Sequence, residues 1–138
     1  LDLDIGKLRT TFNPPHPGSY AFGSLLRSGA DLVFGSDAPV EDPDALKGIA
    51  FAAFRTRPGE EPYQAEECVS LSDALTAYTT APQAALGMPG QRGNLVPGQD
   101  GDVVVLSRNI LGDHDPEAVR STRVLATVVA GSVAFRAS

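Results

Sequence analysis

A single carboxylate, Asp37, stands where chemistry is easiest to build. It lies in Gly35-Ser36-Asp37-Ala38-Pro39-Val40, directly after the short apolar run Ala30-Asp31-Leu32-Val33-Phe34. Gly35 and Pro39 then break any regular pattern, so the run reads as a strand and the rest as the loop that follows it. Barrels and open α/β sheets gather catalytic groups at the carboxyl ends of strands, because loops there can be shaped without disturbing the core. An aspartate in that place could bind a metal ion or move protons. The same pattern has a structural reading, since Asp also caps turns and helix starts by accepting backbone N–H groups. On the local pattern alone the cap is the simpler assignment.

The other reactive side chains carry less. His16 sits among prolines in Asn13-Pro14-Pro15-His16-Pro17-Gly18, where a solvated or hydrogen-bonded loop histidine is expected. His114, in Gly112-Asp113-His114-Asp115-Pro116, resembles a chelating cluster, but adjacent side chains rarely converge on one ion, and a turn before a short helix fits better. Neither histidine belongs to a His-x-His or His-Glu-x-x-His pattern. Cys68 is the only cysteine, so no internal disulfide can form, and it reads as a small, semi-buried side chain rather than a nucleophile. Ser36 and Ser70 have no histidine base nearby in sequence. Gly98-Gln99-Asp100-Gly101 is a turn and not a phosphate loop, because it does not join a strand to a helix.

Several elements must position Asp37. Ser19 is expected to cap a helix running through Arg27, with Tyr20, Leu25 and Leu26 facing inward and Gly29 ending it. The strand over 30–34 follows directly. Beyond the loop, Asp44 to Phe54 places Leu46, Ile49 or Ala50, and Ala53 or Phe54 at helical spacing. Arg57 to Pro62 is a polar loop whose two glutamates are expected to face solvent. Ser70-Leu71-Ser72-Asp73 reads as a capping box with Asp in place of Glu, opening a helix that ends near Gly87 with Leu71, Ala74, Leu75 and Tyr78 on one face and Pro82 as a further candidate for it. From Gly93 the pattern changes to apolar runs between Pro-Gly and Gly turns. Val103 to Leu106 and Val124 to Val129 are the strongest strands, and Ala130-Gly131-Ser132 permits a hairpin back through Arg136. A domain boundary is therefore placed at 92/93.

Taken in order, these segments resemble the carboxyl-terminal part of the amidohydrolase family 3 (YtcJ-like) metal-dependent hydrolases. The resemblance rests on 20–29, on Gly-Ser-Asp-Ala-Pro-Val at 35–40, and on Ser70 to Thr79. It continues through Gly93 to Gly98, Gly101 to Leu106 and Val124 to Gly131. Gly101 departs from the alanine usual there, and residues 1–15 match nothing recognisable. The resemblance implies an α/β fold that is incomplete on its own. Residues 1–92 would form the terminal strand and helices of a TIM-type (β/α)8 barrel, and 93–138 the C-terminal strands of a small β-sandwich. It implies that Asp37 is both the catalytic base and a metal ligand, contacting the ion and the hydrolytic water at the end of the eighth strand. The cofactor would be a divalent metal, in particular zinc, with its other ligands upstream. The reaction would be hydrolysis of a non-peptide amide C–N bond in a small-molecule substrate. Deaminases and cyclic amidases share the superfamily, and a non-catalytic packing or association fragment is the rival from another class.

Length and charge agree with this reading. A (β/α)8 barrel needs about 250 residues, whereas this chain has 138 and begins with Leu1, so the amino-terminal part of the barrel is expected upstream as its partner. The net charge of −6 with scattered Lys and Arg disfavours a nucleic-acid partner, which requires clustered cations. No apolar run approaches the roughly 20 residues of a membrane span. A cytoplasmic enzyme is expected, and unpaired strand edges would favour homo-oligomers or aggregation of the isolated piece. The isolated 138-residue chain is predicted to show no amidase turnover and no tight stoichiometric metal, because one carboxylate cannot hold a hydrolytic cation in a fixed, open geometry. Elemental analysis and amidase assays of the purified chain check this; near-stoichiometric zinc with turnover would mean that the site is complete.

Overall fold

The side chains of Asp44, Ser70 and Asp115 open three of the described helices, and left-handed residues at Gly29, Arg55 and Gly87 follow the ends of three. The computed structural model describes residues 2–12, 14, 16–57, 59–88, 90 and 92–138. Its helices are α1 (Asp2–Thr11), α2 (Phe22–Arg27), α3 (Ala45–Phe54), α4 (Leu71–Tyr78), α5 (Thr80–Ala85) and α6 (Pro116–Arg120), with a single 3-10 turn at Ala65–Glu67. Strands β1 (Val103–Leu106), β2 (Val124–Val129) and β3 (Ser132–Arg136) form one antiparallel sheet in the order β1-β2-β3.

Local chemistry explains most boundaries. The Asp44 carboxylate accepts the Leu46 N–H at 2.9 Å and starts α3, while Arg55 ends it in a left-handed conformation. Ser70 Oγ accepts the Asp73 N–H at 3.0 Å at the start of α4, and its hydroxyl donates to the Asp73 carboxylate at 2.6 Å. That is half of a capping box, because the shorter Asp side chain bonds the serine hydroxyl instead of reaching back to its N–H. Asp115 caps α6 through the Glu117 N–H, with Pro116 as the first helical residue. Between β2 and β3, Ala130 and Gly131 both have positive φ, as a two-residue type I′ hairpin requires. Asp102 Oδ1 steadies this turn by accepting the Ala130 N–H at 2.7 Å.

Four expectations are corrected. Ser19 does not cap a helix: α2 begins at Phe22 behind Ala21, without a side-chain cap, because the Ser19 and Tyr20 carbonyls are turned toward Arg55. Leu25 is 47% exposed, and Leu26, not Leu25, joins the core. The strand over 30–34 is not formed: the segment has no ladder, since none of the described strands lies beside it, and its amides bond instead to helix carbonyls, Ala30 N–H to Leu25 at 3.1 Å and Phe34 N–H to Ala77 at 3.0 Å. The long helix after Ser70 is split at Thr79. Pro82 has no N–H to give the Tyr78 carbonyl four residues earlier, and its ring would collide with that carbonyl in a continuous helix. The final turn still closes beside Gly87, whose φ is +71°. Helix α1 is an addition, seated through Ile5 against Phe51 and Tyr63.

The main core joins α3, α4 and α6 through Leu46, Ile49, Ala50, Ala52, Leu71, Ala74, Ile110 and Val119, with Leu106 and Val124 bringing in one end of the sheet. Much of the rest of the sheet is open, since Val104, Val129, Val133 and Phe135 are all about half exposed or more. A polar node ties the loops to this core. Arg55 has no exposed surface, and its guanidinium donates to the carbonyls of Tyr63 at 2.7 Å, Tyr20 at 2.8 Å and Ser19 at 3.3 Å. Beside it, buried Glu67 accepts the Ser24 N–H at 2.7 Å and the Ser24 hydroxyl at 2.5 Å. Burial would raise the Glu67 pKa, but these bonds outweigh it and hold the carboxyl below its ordinary value.

Replacing Arg55 with Leu would take the guanidinium from the Tyr63 and Ser19 carbonyls, each costing about 1–3 kcal/mol when buried without a donor, while the Tyr20 carbonyl would keep the Phe22 N–H at 2.7 Å. Arg55→Leu is expected to lower unfolding free energy by about 2 kcal/mol or more, with Arg55→Lys restoring only part, because an ammonium cannot span the fork. Urea unfolding of the full-length protein followed by circular dichroism measures both.

Candidate functional site

Asp37 ends an extended segment that is fixed three residues earlier. The Phe34 ring lies between Phe22, at 4.9 Å centroid to centroid, and Tyr78, at 5.6 Å. From Gly35 onward the chain emerges, and Asp37 is exposed with a φ of +57°, a left-handed conformation that Asp tolerates better than most residues. Its carbonyl accepts the Val40 N–H at 2.9 Å, closing a tight turn over a cis Ala38–Pro39 bond. Ser36 Oγ accepts the Ala38 N–H at 3.2 Å.

The capping duties nearby belong to other residues. Asp44 caps α3, and Asp42 accepts the Asp44 N–H at 3.0 Å and pairs with Lys47 at 2.5 Å. The hydrogen bond from Lys47, helped by the Asp44 N–H, holds the Asp42 carboxyl below its ordinary value. The Asp37 carboxylate makes no hydrogen bond or ion pair to any described residue. It is therefore free to meet a ligand, and the side-chain cap that its sequence context allows is not made among the described residues.

Against Phe34 stands Tyr78, half buried, whose phenol is pushed above its ordinary pKa by burial and then by the Asp44 carboxylate. Its hydroxyl fills the space where a side chain on Gly48 would stand: a Cβ there would lie 2.1 Å from the oxygen. Sequence reasoning places Tyr78 on the inward face of its helix but does not single out Gly48. A glycine inside an otherwise strong helical pattern was the available signal.

The remaining candidates stay apart from Asp37. The imidazole Nδ1 of His16 accepts the Gly18 N–H at 3.2 Å, and its ring lies 5.7 Å from that of Phe12. His114 is exposed, while its flanking aspartates build the turn: Asp113 pairs with Arg108 at 2.8 Å and accepts the Asp115 N–H. Cys68 is partly buried, and burial raises its thiol pKa. Glu60 is not simply solvated, since it lies 3.6 Å from Arg9. Among the described residues no three His, Cys, Asp or Glu side chains gather into a possible metal site. A cation could take Asp37 as one hard oxygen ligand, and these residues supply no set to complete it.

Comparison with known proteins settles the relationship. The sequence model of the amidohydrolase family matches residues 4–135. The chain belongs to this family. The match begins at residue 4 and so includes most of the N-terminal stretch that carries no recognisable motif. The amidohydrolase chain is 30% identical over 126 residues to the putative amidohydrolase YtcJ of Bacillus subtilis, covering 87% of itself and 23% of that protein. It is 38% identical over 114 residues to Protein LONG AFTER FAR-RED 3 of Arabidopsis thaliana, covering 82% of itself and 19% of the relative. The crystal structure of an amidohydrolase from Thermotoga maritima superposes with a TM-score of 0.60 at 27% identity, over 86% of this chain and 26% of the other. The chain thus spans about a fifth of the length of these curated relatives.

Because the Tyr78 hydroxyl occupies the place of a Gly48 side chain, Gly48→Ala is expected to destabilise the protein by about 1–3 kcal/mol through overpacking. Combining it with Tyr78→Phe, which removes the clashing oxygen, should recover part of the loss. Thermal unfolding of the two single variants and the double variant measures this.

Proposed function

We propose that this chain is the C-terminal segment of a metal-dependent amidohydrolase that hydrolyses a non-peptide amide C–N bond in a small molecule. The carrying observation is Asp37, an exposed carboxylate without a partner among the described residues, held at the end of an extended segment in a chain of amidohydrolase sequence. Residues 30–34 would become the last strand of the barrel once earlier strands lie beside them. Residues up to 92 would belong to that barrel, and 93–138 would give β1, β2 and β3 to a β-sandwich completed by other parts of the protein.

A divalent cation, zinc in this reading, would supply a positive centre that lowers the pKa of water toward neutrality. The chain's own contribution is proton handling by Asp37. As the water oxygen bonds to the carbonyl carbon, the carboxylate takes the water's proton. As the C–N bond breaks, the same proton passes to the leaving nitrogen, which departs as a neutral amine, and Asp37 returns to its ionised form. The exposed turn leaves both carboxylate oxygens accessible for this exchange, while Phe34, packed on Tyr78, anchors the segment that leads into the turn.

In the metal-loaded full-length enzyme, Asp37→Asn is expected to lower turnover by about 100-fold or more, the usual cost of losing a positioned acid–base group. Folding should be little changed, because Asn tolerates the left-handed conformation as well as Asp does. Steady-state amidase kinetics alongside metal analysis makes the test; near-normal turnover at normal metal content would leave Asp37 without this role.

A further inference from the structure

We infer that α1 is a detachable strap, which lifts from Phe51 and Tyr63 as one helix while the seat beneath it stays folded. The two sides of this contact are held very differently. Tyr63 is tied to the end of α3 by its N–H on the Arg55 carbonyl at 2.8 Å and by its carbonyl on the Arg55 guanidinium at 2.7 Å. The loop before it is closed on itself, with the Glu60 N–H on the Arg57 carbonyl at 3.0 Å and the Thr56 hydroxyl on the Glu60 carbonyl. Among the described residues no backbone–backbone hydrogen bond joins α1 to another element. Side chains seat it instead. Ile5 and Leu8 pack with Phe51 and Tyr63, while Arg9 lies over the Tyr63 ring at 5.7 Å, stands 3.6 Å from the Glu60 carboxylate and donates to the Glu61 carbonyl. The seat is also imperfect. Tyr63 is 2% exposed, and its hydroxyl has no hydrogen-bond partner among the described residues; the Nε of Arg9 has none either. Leaving a buried hydroxyl unpaired costs free energy of the same order as burying one isoleucine side chain gains, and Ile5 is the fully buried side chain that α1 contributes. The residues clustered with Tyr63 are apolar, namely Ile5, Phe51 and Leu8, so an enclosed water would find few of the about two to four polar partners it needs. These enclosing groups belong to this chain, so any further part of a longer protein reaches the hydroxyl only after α1 has lifted. Lifting hydrates the hydroxyl and bares the Phe51 and Tyr63 rings. A helix of ten residues is marginal on its own in water, so each opening also exposes its amides. The inference is independent of the role proposed for Asp37.

The test is hydrogen–deuterium exchange on the full-length protein, read at peptides from α1, α3 and α4. In the unsubstituted protein α1 should exchange at least about tenfold faster than α3 and α4, as a locally opening unit does. Tyr63→Phe keeps the ring and removes the unpaired hydroxyl, so it should slow α1 exchange by about fivefold or more. Ile5→Ala removes the main apolar anchor and should speed α1 exchange by about tenfold or more. If Ile5→Ala does not fold, Ile5→Val is read in the same way, with a smaller acceleration. Protection of α1 equal to that of α3 and α4 would overturn the inference. So would α1 exchange that Tyr63→Phe leaves unchanged or speeds, because the hydroxyl would then have a partner, bound water included. A Tyr63→Phe protein that fails to fold carries the same meaning, and α1 exchange indifferent to the loss of Ile5 would show that the helix is held elsewhere and overturn it as well.

Discussion

The loops of this chain depend on a guanidinium that has been taken out of water. Arg55 has no exposed surface, and burial draws it below its ordinary pKa. Removing such a charge from solvent is costly unless every donor finds a partner. Carbonyls supply the partners: those of Ser19 and Tyr20 ahead of α2, and that of Tyr63 from the loop after α3. The rings of Phe22 and Tyr63 face the guanidinium at 5.8 and 5.7 Å. Three of the five non-glycine residues with positive φ among those described, Tyr20, Arg55 and Gln64, meet at this point. Each such conformation costs of order 1 kcal/mol, a strain the node can hold because it bonds the backbone that carries it.

That node and the Glu67–Ser24 bonds orient α2, and α2 presents Phe22 to Phe34. A close approach makes the orientation tight: a side chain on Gly23 would lie 2.8 Å from the Glu66 carbonyl. The line from a buried charge to an exposed carboxylate therefore runs through packed rings, not through hydrogen bonds to the carboxylate itself. This suits the proton exchange proposed for Asp37. A carboxylate bound by backbone N–H groups would be held ionised and lose its use as an acid, whereas one fixed only through its backbone keeps both oxygens free.

The helices were legible in proportion to how local their causes are. Asp44, Ser70 and Asp115 each cap the helix that follows by bonding an N–H two or three residues on, and such short-range signals can be read from spacing. The hairpin at Ala130-Gly131 was equally legible, since few sequences accept two positive φ values in succession. Ser19 misleads for the opposite reason. Its local pattern is that of a cap, but Arg55, 36 residues away, takes its carbonyl. Helix α1 has little outward signal beyond Ile5 and Leu8, because it is secured by contact with Phe51 and Tyr63. At the site, Asp37 can be picked out from the break between an apolar run and Pro39, while its freedom from capping can be seen only once Asp42 and Asp44 are found to do the capping.

By itself the sequence determined the family, the helix starts at Asp44, Ser70 and Asp115, the strands β1, β2 and β3, and the carboxylate worth explaining, because each depends on residue types within a few positions of one another or on an ordered set of motifs. Only the tertiary structure decided that the 30–34 run stands without a ladder among the described residues, that the Ser70 helix breaks at Thr79, that Arg55 is buried, and that Phe34 packs on Tyr78, whose hydroxyl fills the notch at Gly48. Strand pairing, burial of a charge and the fit of a phenol into a glycine notch are relations between residues far apart in the chain. Their free energies are set by distances and excluded water that no local window of sequence contains.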